Sequence, residues 1–107
     1  MGAFDVRTQE PGRCLALSGR LDVSVTADVR LALAAAVDAG TGELVLDVTE
    51  VSGVDASGLG VLVGAHRRAG RAGRTLVLQD VPPALGRLLL LSRLDRVLSL
   101  RRSAVCA

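Results

Sequence analysis

The spacing of apolar residues changes along the chain, and these changes predict the first elements. Residues 3–9 and 14–18 have the pattern of two short strands, and the Pro and Gly within residues 10–12 favour a turn between them. From Thr26, the expected N-cap, apolar residues recur at helical spacing until Gly40. The chain is therefore predicted to open with a hairpin followed by a helix.

Three more strands and two more helices follow in alternation. Residues 43–48 contain an unbroken apolar run, which is expected of a central strand covered on both faces. A second helical pattern opens at Ser57, and residues 74–78 form another apolar strand. The proline pair at 82–83 is placed to begin a third helix, and residues 97–100 predict a last short strand.

The predicted order is β-β-α-β-α-β-α-β, which defines an α/β fold. Helices that cross between successive strands imply a mostly parallel sheet with right-handed connections. Residues 1–107 are expected to form a single domain, since this length suits one small core. Because Phe4 is the only aromatic residue, that core must be built from Leu, Val and Ala.

Charge gives little reason to expect a nucleic-acid partner. The net charge is only +2, and acidic and basic residues are interspersed. Four arginines do cluster locally, at positions 67, 68, 71 and 74, but no aromatic residue lies among them. We therefore interpret this cluster as a solvated helix end and predict no nucleic-acid binding.

The cysteines and the hydropathy indicate a protein of the reducing cytoplasm. Cys14 and Cys106 are the only cysteines, so neither a disulfide framework nor a metal site is indicated. No apolar run approaches the roughly 20 residues that span a bilayer, and no signal-peptide pattern follows the first Met. The prediction is a cytoplasmic protein without a membrane segment or a metal ion.

The most informative segment is Asp55-Ala-Ser57-Gly, a turn between an apolar strand and a helix. A hydroxyl at this place can cap the helix, attack a substrate or accept a phosphate. Attack needs a base, but the only histidine, His66, lies nine residues further along the helix, about 13 Å away by helical rise. A nucleophile elbow would also need glycine at position 55. Capping and phosphate acceptance both remain open from the residues alone.

The chain resembles the STAS domains of the anti-sigma factor antagonist family. The resemblance rests on four stretches, of which the second is the most specific: residues 19–22 (Gly-Arg-Leu-Asp), 44–62 around Asp-Ala-Ser-Gly-Leu-Gly, 67–69 (Arg-Arg-Ala) and 91–98. Together these stretches extend over nearly the whole chain. The resemblance implies the STAS fold.

The same resemblance implies a regulatory role instead of an enzymatic one. In that family, a serine at the place of Ser57 is phosphorylated by a partner that is both anti-sigma factor and serine kinase, and the unphosphorylated form binds that partner and frees the sigma factor. The phosphate comes from ATP held by the partner, so no cofactor of the chain's own is expected. A PP2C-type phosphatase is a further expected partner, and the chain is expected to be a monomer or a weak homodimer. The expected partner-binding residues are Arg20, Asp22, Asp55, Ser57, Gly58 and Val61.

Val61 is included because it follows Ser57 by one helical turn and is expected to share its exposed side. Three positions depart from the family pattern. Arg20 stands where an acidic residue is usual, His66 replaces a leucine and is expected to be a hydrogen-bonded core histidine, and Arg93 replaces a glycine. If position 93 needs a left-handed backbone, a strain of about 1 kcal/mol is expected there.

Two other functions are kept as alternatives. One is a STAS accessory subunit of a transporter or of a larger signalling assembly, which would not need Ser57 to be phosphorylated. The other, much weaker, is a serine-dependent hydrolase.

Overall fold

A computed structural model describes residues 4–103. The predicted order of strands and helices is confirmed there, with a short 3-10 turn at Leu94–Arg96 before the last strand. The first residue of the predicted opening strand, Ala3, and the C-terminal Cys106 lie outside the described residues. The elements are β1 (Asp5–Glu10), β2 (Cys14–Leu21), α1 (Thr26–Asp38), β3 (Glu43–Val54), α2 (Ala56–Arg71), β4 (Thr75–Gln79), α3 (Pro83–Leu91) and β5 (Ser99–Arg101).

The five strands form one sheet in sequence order, β1-β2-β3-β4-β5. β1 pairs with β2 antiparallel, and every later pairing is parallel. Because each crossover steps in the same direction and is right-handed, α1, α2 and α3 all pack on one face of the sheet. The expectation that the central strand is covered on both faces is therefore wrong, and Val45 and Asp47 of β3 lie on the uncovered face, half-buried.

The core lies between this one face and the helices and consists of aliphatic side chains, as the composition predicts. Alternate residues of the strands point into it, because side chains alternate between the two faces of a sheet. The fully buried large side chains include Leu17, Leu44, Leu46, Leu76 and Leu78 from the strands and Leu33, Val61, Leu62 and Leu89 from the helices.

β3 extends to Val54, six residues beyond its predicted end. Two register irregularities allow β2 and β3 to remain paired over this length, up to the pair Leu21 and Val54. The two strands therefore end side by side, and the amide of Asp55 donates to the carbonyl of Leu21 at 3.3 Å. This places the loop after β2 against the start of α2.

Arg74 does not belong to a solvated helix end, and that interpretation is wrong for this residue. Its side chain lies in the turn before β4 and is 5 % exposed. The guanidinium donates to six backbone carbonyl oxygens, including those of Ala36 and Val37 at the end of α1, each at 2.9 Å. A positive charge at this place also complements the negative end of the α1 dipole. Arg74 thus joins the C-terminus of α1 to the turns around it.

Two further backbone details bear on the predictions. Thr26 is the first residue of α1 and not its N-cap, which is Val25, and no side chain caps this helix. Arg93 has the left-handed backbone that glycine favours, with φ of 62°, so the backbone conformation for which strain is expected is present at this position.

Candidate functional site

Asp55 links two elements at the carboxyl end of the sheet. It is the N-cap of α2, where its Oδ1 accepts a hydrogen bond from the amide of Gly58 at 2.9 Å. Its Oδ2 accepts from the amide of Val23, in the loop between β2 and α1, at 3.1 Å. One carboxylate therefore caps a helix and holds the neighbouring loop against it.

Ser57 does not cap the helix. It is the second residue of α2, because the helix begins at Ala56, and Asp55 already supplies the capping oxygen. The Ser57 side chain is exposed, and its hydroxyl makes no hydrogen bond to any residue between 4 and 103. The structure thus leaves this hydroxyl available at the positive end of a helix.

Asp22 lies in the same loop, next to the residue that binds Asp55. Its Oδ1 accepts from the amide of Ser24 at 3.0 Å and from the Ser24 hydroxyl. These hydrogen bonds, with a smaller contribution from the nearby Arg20, lower the pKa of Asp22 from its ordinary value. Asp22 is consequently ionised at neutral pH and organises the loop beside Ser57.

Arg20 is the position where the family pattern has an acid, and here it forms a surface ion pair. Its Nε lies 3.4 Å from Oδ2 of Asp22, and its side chain is 61 % exposed. The guanidinium also lies over Gly53 of β3, where a Cβ would come within 2.8 Å of Nη1. The positive charge is therefore accessible to a partner but is shared with Asp22.

Val61 is buried, which corrects its expected exposure, and Gly58 is buried as well. A Cβ at Gly58 would clash with the carbonyl oxygen of Leu21, so glycine permits the close approach of α2 to the end of β2. Val61 is 2 % exposed because α1 covers this side of α2. It does follow Ser57 on the same side of the helix, but the neighbouring helix removes it from solvent.

Val23 is the exposed apolar residue of this site, and sequence reasoning missed it. Its side chain is 70 % exposed, while its amide is held by Asp55. An apolar residue in a polar loop, between Asp22 and Ser24, was the available signal. Its backbone is thus held in place while its apolar side chain faces solvent.

His66 is not part of this site. It lies on a different side of α2 from Ser57, and its ring is half-buried. The expected hydrogen bond of a core histidine is absent within residues 4–103, where the buried Nδ1 has no partner. Nine residues of helix separate it from Ser57, so it does not reach the hydroxyl as a base.

The site can present a hydroxyl to another protein and respond strongly to a charge placed on it. A phosphate on Ser57 would add roughly −1.5 to −2 charge at the N-terminus of α2. The helix dipole stabilises a negative charge at this place. The carboxylates of Asp22 and Asp55 are part of the same surface, so a partner docked there would meet three adjacent anionic groups. The phosphate can thus be tolerated by the folded chain while it weakens an interface with a partner.

Comparison with known proteins places this architecture in a family. A family model described as Mlab, STAS domain matches residues 5–101. An anti-sigma factor antagonist from Mycobacterium paratuberculosis aligns with 24% identity and a TM-score of 0.73, over 92% of this chain and 84% of that one. The fold described here is thus the STAS fold of the matched family.

Two other solved structures have the same fold. The Bacillus cell fate determinant SpoIIAA aligns in its unphosphorylated form with 18% identity and a TM-score of 0.74, over 95% of this chain and 89% of that one. A sulfate transporter family protein from Wolinella succinogenes aligns with 17% identity and a TM-score of 0.73, over 89% and 80%. Within residues 4–103, no helix is long and apolar enough to cross a membrane. By its match to the family model over residues 5–101, this chain belongs to the STAS domain family.

Proposed function

We propose that this chain is an anti-sigma factor antagonist controlled by phosphorylation of Ser57. The proposal rests on the start of α2, where Asp55 caps the helix and the exposed Ser57 hydroxyl makes no hydrogen bond to any described residue. A serine whose only role was to cap the helix would be expected to make the capping hydrogen bond itself. The similarity of the fold to SpoIIAA, which is known in unphosphorylated and phosphorylated forms, supports the same role.

In the proposed cycle, the unphosphorylated chain binds an anti-sigma factor that is also a serine kinase, and the sigma factor is released. The kinase then transfers the γ-phosphoryl group of its own ATP to Oγ of Ser57, while the hydroxyl proton passes to a base of the kinase and ADP leaves. Both oxygens of Asp55 already accept backbone hydrogen bonds, and the proposal therefore assigns this proton to the kinase. A PP2C-type phosphatase would hydrolyse the phosphoserine and restore the binding form.

The phosphate switches binding off through local electrostatics. A partner that covers the start of α2 must remove water from the dianion or bring it close to Asp22 and Asp55, and both effects oppose docking. Loss of about 1.4 kcal/mol of binding free energy lowers affinity tenfold, so a modest effect suffices. Val23 and the Arg20–Asp22 pair are the surrounding contacts that would set partner choice.

The proposal is tested by incubating the chain with ATP and an anti-sigma kinase encoded in the same genome. Mass spectrometry should find one phosphate, located on Ser57, and S57A should accept none while it still binds the kinase. Ser52, an exposed serine at the end of β3, provides the matched control, and S52A should be phosphorylated normally. Phosphate on another residue, or none with any kinase that binds the chain, would contradict the proposal.

A second candidate is a STAS accessory subunit of a transporter, which the fold match to a sulfate transporter family protein favours. In that role the partner would be a transporter component, and binding would not depend on phosphate at Ser57. Stable association of both wild-type protein and S57E with a transporter subunit from the same operon would favour this candidate. For both roles we expect a cytoplasmic chain that is a monomer or a weak homodimer in the absence of its partner.

A further inference from the structure

A groove of about 180 Å³ runs between α1 and α2, on the side of α2 that also carries Ser57. Its floor is apolar and recessed, since Leu33, Val61 and Ala65 are only 1, 2 and 7% exposed. Its border carries three arginines, Arg30 of α1 and Arg68 and Arg71 of α2. The groove therefore combines an apolar floor with a positively charged border.

The positive charge of this border is largely uncompensated within the chain. Arg68 pairs with Asp38 across the two helices, at 2.7 Å between Nη2 and Oδ2. Arg30 and Arg71 make no ion pair or hydrogen bond with any described residue. Of the three guanidinium groups, only that of Arg68 is paired with a carboxylate, which leaves a surplus of positive charge suited to an acidic partner.

Small residues keep the groove open. Ala34 and Gly64 belong to its lining, from opposite helices. A Cβ added at Gly64 would meet no atom within 4 Å, so packing within the chain does not require glycine here. Glycine inside a helix is unfavourable relative to alanine, and the absence of a side chain at position 64 adds to the width of the groove.

We infer that this groove binds an acidic amphipathic helix of a partner protein. An apolar side chain of that helix packs over Ala34 and Gly64, and carboxylates on its flanks meet Arg30 and Arg71. A membrane surface is a poorer match, because the apolar residues are recessed and cannot insert into lipid. Nucleic acid is a poorer match too, because no aromatic side chain borders the groove for bases to stack on. The inference does not depend on phosphorylation of Ser57.

The test is a titration of the isotope-labelled chain, followed by amide and arginine side-chain NMR signals. The probe is a synthetic amphipathic peptide of roughly 18 residues, long enough for helix formation, with Leu on one face and Glu on both flanks. A peptide with Lys in place of each Glu is the matched control. Phosphatidylglycerol vesicles test binding to an anionic membrane surface, and a single-stranded oligonucleotide tests binding to nucleic acid.

The expected result is saturable, salt-sensitive movement of the signals of Gly64, Ala65 and Ala34 with the acidic peptide alone. The double variant R30Q/R71Q should weaken this binding by roughly tenfold or more. R87Q, which removes an exposed arginine from α3, should leave it unchanged. The inference is overturned if the groove signals do not move at about 1 mM acidic peptide, if the lysine peptide acts equally, or if vesicles or the oligonucleotide bind there instead.

Discussion

Removal of the Asp55 carboxylate tests the two structural contacts of this residue, the cap of α2 and the hydrogen bond to the loop before α1. Asp55→Ala loses the capping bond to Gly58 and the bond to Val23 at once. Asp55→Ser retains a good capping oxygen but is uncharged and too short to reach both amides, so it loses the bond to the loop and the negative charge while it keeps the cap. The pair of variants therefore isolates the two contributions.

The expected magnitudes follow from these contacts. Loss of an N-cap costs about 1 kcal/mol, loss of the second hydrogen bond about 1 kcal/mol, and loss of the negative charge at the helix start about 0.5 kcal/mol. D55A should therefore lower the free energy of unfolding by about 2.5 kcal/mol, and D55S by about 1.5 kcal/mol. At 4 °C or more per kcal/mol, D55A should lower the melting temperature by roughly 10 °C or more.

Urea unfolding measures the free energies, and amide hydrogen exchange locates the change. The Val23 amide should exchange faster in both variants, whereas the Gly58 amide should remain protected in D55S. A loss below about 0.5 kcal/mol for D55A, a value within the usual range for surface substitutions, would refute the assignment of Asp55 as cap and loop tie.

Three further outcomes are expected from the same geometry. Arg74→Met should lower the free energy of unfolding by about 3 kcal/mol or more in urea, because six carbonyl oxygens lose a donor, and a loss under 1 kcal/mol would argue against this role. Gly58→Ala should lower the free energy of unfolding by about 1–3 kcal/mol, because the new Cβ would clash with Leu21. Gly60→Ala should raise it by up to about 1 kcal/mol, because a Cβ there meets no atom within 4 Å, and equal effects of the two variants would contradict the packing argument. The NMR signal of the Asp22 carboxyl should titrate with a midpoint below pH 3.8, and the midpoint should move back toward that value in S24A. Because a lowered pKa stabilises the folded state above the ordinary pKa, this contribution to stability should be lost as the pH falls through the lowered value. A midpoint at or above pH 3.8 would count against this prediction.

The fold could be predicted because its signals are local and agree with one another. Helical spacing, turn residues and apolar runs gave the order of elements, and right-handed crossovers allow few sheets to be built from that order. The end of β3 was missed because residues 49–54 are mixed in polarity, and their strand pairing depends on irregular register with β2.

The details of the site depended on contacts between distant parts of the chain. Asp55 and Ser57 are both good capping residues, so the start of α2 was ambiguous until the structure showed which oxygen meets Gly58. Val61 was placed on the correct side of the helix, but its burial is decided by α1. Arg74 follows three exposed arginines in sequence, and only the tertiary fold turns it inward to the end of α1.

In the proposed function, phosphate on Ser57 switches a protein interface off. The most direct measurement is isothermal titration calorimetry of the partner anti-sigma kinase with the chain in two forms, unphosphorylated and stoichiometrically phosphorylated at Ser57. Phosphorylation is expected to weaken binding about tenfold or more while the unfolding free energy of the isolated chain stays within roughly 1 kcal/mol. Equal or tighter binding of the phosphorylated form would contradict it.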